Sequence, residues 1–366
     1  MRIGSVTLRS PLAVAPMAGM TDTAFRRLVK RHGGCGLVVT EMVSSEGLIR
    51  GIDRTLEFAE YTEEERPISI QIFGGDPLKM AEAAQIVEGM SADIVDVNMG
   101  CPVPKIAKHN AGCSLMREPA HAAAVIGAMA KAVKIPVTVK MRAGWNDGER
   151  NAPVLARMVE DAGAAAVAVH GRTAAQSYSG LADWDLVAEI AERLTIPVFG
   201  SGDCVEPEQI VAKLRSGVEG VLVGRGVLRN PWILAQAMDL AEGRPAREVT
   251  ASDRAQFLLD YIELLRDERV RDAGSGESGG SGRPGEGGEG TAQSRHDRWI
   301  INKLRALVPY YTKGFDGGVR LRTAVNTAAS LDQLRALIIE FFAESSLNPK
   351  SLNPQSQVPE SPIPSP

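Results

Sequence analysis

Eight short apolar runs, spaced roughly every 25–35 residues between positions 12 and 225, constrain this chain more than any other feature of its sequence. They are LAVAPM (12–17), LVVTEM (37–42), ISIQIF (68–73), IVDVNM (94–99), PVTVKM (136–141), AAVAVH (165–170), PVFGSG (197–202) and GVLVGR (220–225). Each is nearly continuous rather than alternating, the pattern of a parallel strand covered on both faces. Between them lie Ala- and Leu-rich stretches of helical spacing, such as PLKMAEAAQIVEGM and APVLARMVEDAG. Strands alternating with helices make βαβ units, and eight of them predict an α/β protein with a (β/α)8 TIM barrel over residues 1–244. A doubly wound open sheet is the alternative, and the count of eight favours the barrel.

The ends of the runs carry the polar groups: Met17, Glu41, Gln71, Asn98, Lys140, His170, Ser201 and Arg225. In such a barrel the C-terminal rim of the strands carries the active site, so these residues are expected to face one mouth. Beyond residue 245 the pattern changes to three amphipathic helices, RAQFLLDYIELLRDERVRD, RWIINKLRALVPYY and LDQLRALIIEFFAE, which predict a small helical domain over 245–344. Two segments have too few apolar groups to bury and are expected to be disordered: the Gly-rich insertion 273–291 and the Pro- and Ser-rich tail 345–366. The insertion contains a decoy. Gly274 to Gly279 matches GxGxxG, but a dinucleotide fingerprint must follow a strand and open a helix, and this one does neither.

Composition narrows the class. The 366 residues are 44% hydrophobic, enough for a core without disulfide staples. Cys35, Cys101, Cys113 and Cys204 form no CxxC pair, so reduced thiols in a cytoplasmic enzyme are expected. No uncharged apolar run reaches the ~18 residues of a membrane helix, and the short stretch LAVAPMAGM, interrupted by Pro16, reads as a first strand and not as a leader. A formal charge of −4 argues against a globally basic nucleic-acid binder. Residues 291–324 nevertheless hold Arg295, Arg298, Lys303, Arg305, Lys313, Arg320 and Arg322 against only Asp297 and Asp316, either a local anion-binding patch or a solvated helix face.

Three constellations carry chemistry. In DVNMGCPVPKIAKHNAGCSLM (96–116), Asn98 ends a strand, Gly100 permits a turn, and Cys101 precedes Pro102. A cysteine so flanked is expected to face the mouth, although an isolated one usually packs as a small hydrophobe. With an ordinary pKa of about 8.5 it stays protonated near neutrality, which suits a proton donor better than a nucleophile. Metal ligation by Cys101, His109 and Cys113 is a competing idea, but the spacing matches no standard zinc pattern. The second constellation, FGSGD (199–203) with VGRG (223–226), ends strands seven and eight, where barrels of this class bind a phosphate. The third is Lys140 and His170, which can converge on a ligand; a lysine beside a flavin ring stabilises charge on the reduced form.

Together APMAGMTD (15–22), SIQIFG (69–74), DVNMGCP (96–102), VTVKMR (137–142), VHGRT (169–173), SGD (201–203) and VGRG (223–226) resemble the tRNA-dihydrouridine synthase family, most closely its bacterial B-type subgroup. The resemblance implies FMN held by Pro16, Met17, Ala18, Gln71, Lys140, His170, Ser201, Gly202, Asp203, Gly224 and Arg225. It implies Asn98 and Arg142 near the target base, and Cys101 as general acid. The reaction it implies runs from NADPH to FMN, then by hydride from the reduced flavin to C6 of an extruded uridine, with a proton from Cys101 to C5. The loop 102–114, with Lys105, Lys108 and His109, would close on the base, and the basic segment would grip tRNA phosphates. The sequence departs from the family at Ser201, where Asn is usual, and at Arg305-Ala306-Leu307 before Tyr310 and Tyr311, where an Arg-Lys-His run is common. Two rivals remain: a flavin barrel acting on a free pyrimidine or small enone, and a non-catalytic RNA-binding barrel.

Overall fold

The structure, a computed structural model, describes residues 1–107, 110–268 and 292–347. The Gly-rich insertion with its GxGxxG decoy, Lys108, His109 and most of the expected tail lie outside the described residues. The chain divides into two compact units, the first spanning Met1–Arg247 and the second beginning at Glu248.

In the first unit, eight strands follow the eight apolar runs: β1 (Leu12–Val14), β2 (Leu37–Val39), β3 (Ile68–Phe73), β4 (Ile94–Met99), β5 (Val137–Arg142), β6 (Ala166–His170), β7 (Val198–Ser201) and β8 (Gly220–Val223). Each pairs in parallel with its sequence neighbour, and β8 returns to β1 through Val221 opposite Leu12, closing the barrel. Full burial of most of these residues explains their continuous apolar character. A two-residue strand, Val43–Ser44, extends the pairing beside the end of β3.

The barrel interior is filled from below. An antiparallel ribbon, Arg2–Ile3 with Val6–Thr7, sends Ile3 and, just beyond it, Leu8 into one cluster with Ala13, Leu37, Ile94, Ala166, Phe199 and Leu222. Phe199 takes much of that volume because β8 opens with Gly220; a Cβ there would stand 2.3 Å from the Phe199 ring and 2.6 Å from the Pro11 carbonyl. With the bottom closed by packing, only the opposite mouth is left for chemistry. The outer helices start where the sequence offers caps. Asp22 accepts from the Phe25 amide at Thr23–His32, Asp76 from Leu78 and Lys79 at Pro77–Gly89, and Asp183 from Leu186 at Trp184–Arg193. No helix among the described residues is long and apolar enough to cross a membrane.

Among the described residues the second unit contains four helices, Ala251–Asp267, Ala292–Tyr311, Gly318–Thr327 and Leu331–Leu347. Three match the expected helices; Gly318–Thr327 has no counterpart among them. The expected disordered tail is corrected at its start, because the last helix runs through Leu347. Ser345 is buried there and its hydroxyl donates to the Phe341 carbonyl, 2.9 Å away. Tyr311 is fully buried, stacked on Phe257 at 5.6 Å, and its hydroxyl donates to the Arg254 carbonyl.

Candidate active site

The turn that follows β4 is held from within. Asn98 Oδ1 accepts the backbone N–H groups of Gly100 (3.1 Å) and Cys101 (2.9 Å), folding the chain back over the strand end. Arg142, the last residue of β5, clamps the same turn: its Nε donates to the Gly100 carbonyl at 2.8 Å, and its Nη1 donates to the carbonyls of Thr173 and Ser177 at 3.0 Å each. Cys101 is thereby fixed in a half-buried position at the mouth. Burial pushes its thiol pKa up, against the opposing pull of the Val103 backbone and the Arg142 guanidinium, so the sulfur keeps its proton at neutral pH. Cys113, whose amide donates to the Cys101 carbonyl at 3.0 Å, is fully buried and its thiol is pushed up to about 11 by that burial. Among the described residues no group of three or more His, Cys, Asp or Glu could hold a metal; His109, the third member of the zinc idea, lies outside them.

Below the turn, Asn98 Nδ2 donates to Gln71 Oε1 (2.8 Å), Gln71 Nε2 donates to Asp96 Oδ2 (2.7 Å), and the Thr138 hydroxyl donates to Asp96 Oδ1 (2.6 Å). Asp96 opens the DVNMGCP motif, but the motif does not say what its carboxylate holds; only its register opposite Gln71 on β3 and Thr138 on β5 reveals that.

Lys140 stands beside Asn98 in the β4–β5 register, half-buried, with no hydrogen-bond or ion-pair partner among the described residues. Burial, and then the Arg142 charge, lowers its pKa to about 8, while Asp96 opposes the shift. His170 is buried and its pKa lies well below the usual value, through burial first and then the charges of Lys140, Arg142, Arg172 and Arg225. The imidazole is therefore neutral, and four cationic side chains surround it. Arg172 is balanced by Asp203, whereas Lys140 has no hydrogen-bond or ion-pair partner among the described residues.

The ends of β7 and β8 supply the backbone. Ser201 lies opposite His170 in register. Gly202 has φ 122°, and a Cβ there would come 2.5 Å from Ala182 Cβ and 3.1 Å from the His170 ring, so only glycine lets this strand end pass the histidine. Asp203 has its carboxylate occupied: Oδ1 accepts from Arg172 Nη2 (2.6 Å) and Oδ2 from the Ala182 amide (2.7 Å). Each oxygen of Asp203 thus has one acceptor position taken within the protein. Gly224 and Arg225 lead into the short helix Arg225–Arg229, and a Cβ on Gly224 would stand 3.6 Å from Met17 Sδ. The β1 loop that carries Pro16, Met17 and Ala18 is pinned by the Gly19 amide, which donates to Glu41 at 2.6 Å, and by Thr21, whose hydroxyl accepts from the Met17 amide at 3.0 Å.

The structure thus gathers Met17, Gln71, Asn98, Cys101, Lys140, Arg142, His170, Ser201, Gly202, Asp203, Gly224 and Arg225 at one mouth, with Pro16 and Ala18 on the adjoining loop. Two neighbours besides Asp96 have partners that only the fold shows. Arg172 is almost fully buried, reaching His170 Nε2 at 3.5 Å as well as Asp203. Tyr178 is exposed, with the guanidinium carbons of Arg225 and Arg142 at 4.8 Å and 6.0 Å from its ring centre. Arg172 lies inside VHGRT and Tyr178 follows it, but no local pattern gives their partners.

The dihydrouridine synthase family model matches residues 13–277. The chain belongs to the dihydrouridine synthase family. A probable tRNA-dihydrouridine synthase of Rickettsia bellii is 35% identical to it over 346 residues, covering 93% of this chain and 97% of that protein. The tRNA-dihydrouridine synthases B of Xanthomonas campestris and Pseudomonas aeruginosa are 40% and 42% identical; they cover 72% and 64% of this chain, and 80% and 71% of their own lengths. Family membership makes the chain an enzyme. Among solved structures, a complex of 2-naphthoyl-CoA reductase with 2-naphthoyl-CoA superposes with TM-score 0.51 at 12% identity, over 67% of this chain and 52% of that one, a likeness of fold alone.

Proposed function

We propose that this chain reduces uridine in tRNA to 5,6-dihydrouridine, with FMN as cofactor and NADPH as reductant. One observation carries the reading: a protonated, half-buried thiol is fixed at the same barrel mouth as a lysine that has no partner among the described residues. An acid alone, or an anion site alone, would fit many barrels; the pair fits reduction of a base stacked on an anionic cofactor. Relatives named tRNA-dihydrouridine synthase support the substrate assignment.

The residues present fit FMN. Ser201, Gly202 and the Asp203 backbone, with Gly224 and Arg225, suit the phosphate at the ends of β7 and β8, where neutral His170 packs its ring edge beside Gly202. Lys140 would meet the negative side of the ring, Gln71 its edge, and Pro16, Met17 and Ala18 its face. When bound, FMN supplies two-electron reduction at C6 of the base.

The chain's own residues do the rest. Cys101 holds the proton destined for C5 on its sulfur. Asn98 and Arg142 fix the turn that aims this sulfur, and Arg142 keeps its Nη2 edge for the base. The helical unit would grip tRNA, but not through every residue of the basic segment. Arg305 donates to the carbonyls of Val325 and Ala328, Arg322 to the Thr312 hydroxyl, and Arg320 pairs with Glu344. Exposed Arg298 and Lys313 are better placed for phosphates. The four free thiols fit a reducing, cytoplasmic setting.

The test is dihydrouridine formation by the purified enzyme with NADPH on a tRNA transcript, run beside free uridine. Product on the transcript alone is expected. Product on free uridine at the same efficiency would replace tRNA as the substrate, and a colourless protein that binds tRNA without turnover would overturn the enzymatic reading.

A further inference from the structure

The relay beneath the Cys101 turn has a direction. Its upper end is fixed by backbone: the N–H groups of Gly100 and Cys101 can only donate, so Asn98 must present Oδ1 to them. Asn98 Nδ2 then faces down and needs an acceptor, which obliges Gln71 to present Oε1 and send Nε2 on to Asp96. Both ends enforce this sense: the backbone N–H groups can only donate and a carboxylate can only accept, whereas an amide at the lower end would accommodate Gln71 in either orientation. A carboxylate is a pure acceptor and an amide is not.

We infer that Asp96 is a positioning residue, whose carboxylate sets the hydrogen-bond polarity of Gln71 and Asn98 and so locks the turn that aims Cys101. The surroundings of Asp96 suit that task. It is buried, and its two oxygens accept separately from Thr138 and Gln71. Burial pushes its pKa up, while those two hydrogen bonds and the Lys140 amine favour the charged form. Asp96 is two residues before Asn98 on β4 and needs no contact with substrate to act. The role deepens the proposed function, because a turn held in one state matters most if Cys101 is the acid.

The experiment is a charge-conserving swap. Asp96→Asn puts an amide at the bottom of the relay. Gln71 can then turn Oε1 toward it, Asn98 follows, and Nδ2 faces two N–H donors. Asn98→Asp in the same chain restores an acceptor to the turn and lets the reversed Gln71 donate to it, so the relay runs backwards with every group satisfied. Hydrogen exchange of the Gly100 and Cys101 amides, measured on the full chain without tRNA, should quicken about tenfold in Asp96→Asn, the equivalent of one lost hydrogen bond. It should return to within about twofold of wild type in the double variant. Melting temperature gives a second reading: each single change should lower it by about 2–4 °C, and the double variant should recover most of the loss. Unchanged exchange in Asp96→Asn, or a double variant no better than that single one, overturns the inference. Neither reading uses turnover, so the relay can fail while the role of Cys101 stands, and the reverse.

Discussion

Lys140 shows what the proposed chemistry asks of a single residue. A strand end of a buried barrel is a poor place for an amine, and its pKa near 8 measures that cost. The sign follows from linkage. Below about pH 8 the amine is charged in both folded and unfolded chains, and the burial penalty is fully present. It shrinks as pH rises, and it is gone above the ordinary lysine value near 10.5, where both forms are neutral. Lys140→Met should therefore raise the melting temperature of flavin-free protein at pH 7, with the gain vanishing by about pH 10.5, while flavin affinity falls at least tenfold. Thermal melts across that pH range and a flavin titration check both; a variant less stable than wild type at pH 7 would mean that Lys140 is already paired. Arg172 makes the opposite case. It is nearly inaccessible and ion-paired with Asp203, so Arg172→Met leaves a partly buried carboxylate without its partner and should cost about 3–5 kcal/mol, read by urea unfolding.

At the scale of elements, core packing and the proposed cofactor site meet on β7 and β8. Gly220 admits the Phe199 ring, and four residues later the same strand delivers Gly224. Gly220→Ala should cost about 1–3 kcal/mol by overpacking, and it should weaken flavin retention as well if β8 relieves the clash by shifting the end proposed to hold the cofactor phosphate. Loss of stability with full flavin content would separate the two. The barrel strands are legible in the sequence because each is buried on both faces and so is apolar throughout. Helix Gly318–Thr327 is not: it starts from Gly317 with no side-chain cap, has no acid in its first turn, and carries two Val and two Thr in ten residues. Within the site, residues at strand ends can be read from position alone. Asp96, Arg172 and Tyr178 cannot, because their partners lie on other strands or in a loop whose path no local pattern fixes. Likewise the sequence names Asp203 as a ligand residue, and only the fold shows its carboxylate committed to Arg172 and Ala182.

Over the whole molecule, the formal charge of −4 sits beside a basic stretch in the helical unit, so binding to tRNA would be local and salt-sensitive. Reversing the exposed charges Arg298 and Lys313 should weaken tRNA binding and flatten the dependence of log K on log salt by about one for each phosphate no longer neutralised, with flavin content unchanged. Deleting residues 274–290 should leave dihydrouridine formation nearly intact, and loss of tRNA binding on that deletion would make the insertion more than a spacer. The claim on which the account rests is the proton on Cys101, and single-turnover kinetics of Cys101→Ala test it most directly. The variant should hold flavin and accept electrons from NADPH at the wild-type rate, yet pass them to tRNA about 10²–10⁴-fold more slowly. Transfer to tRNA at the wild-type rate would contradict it.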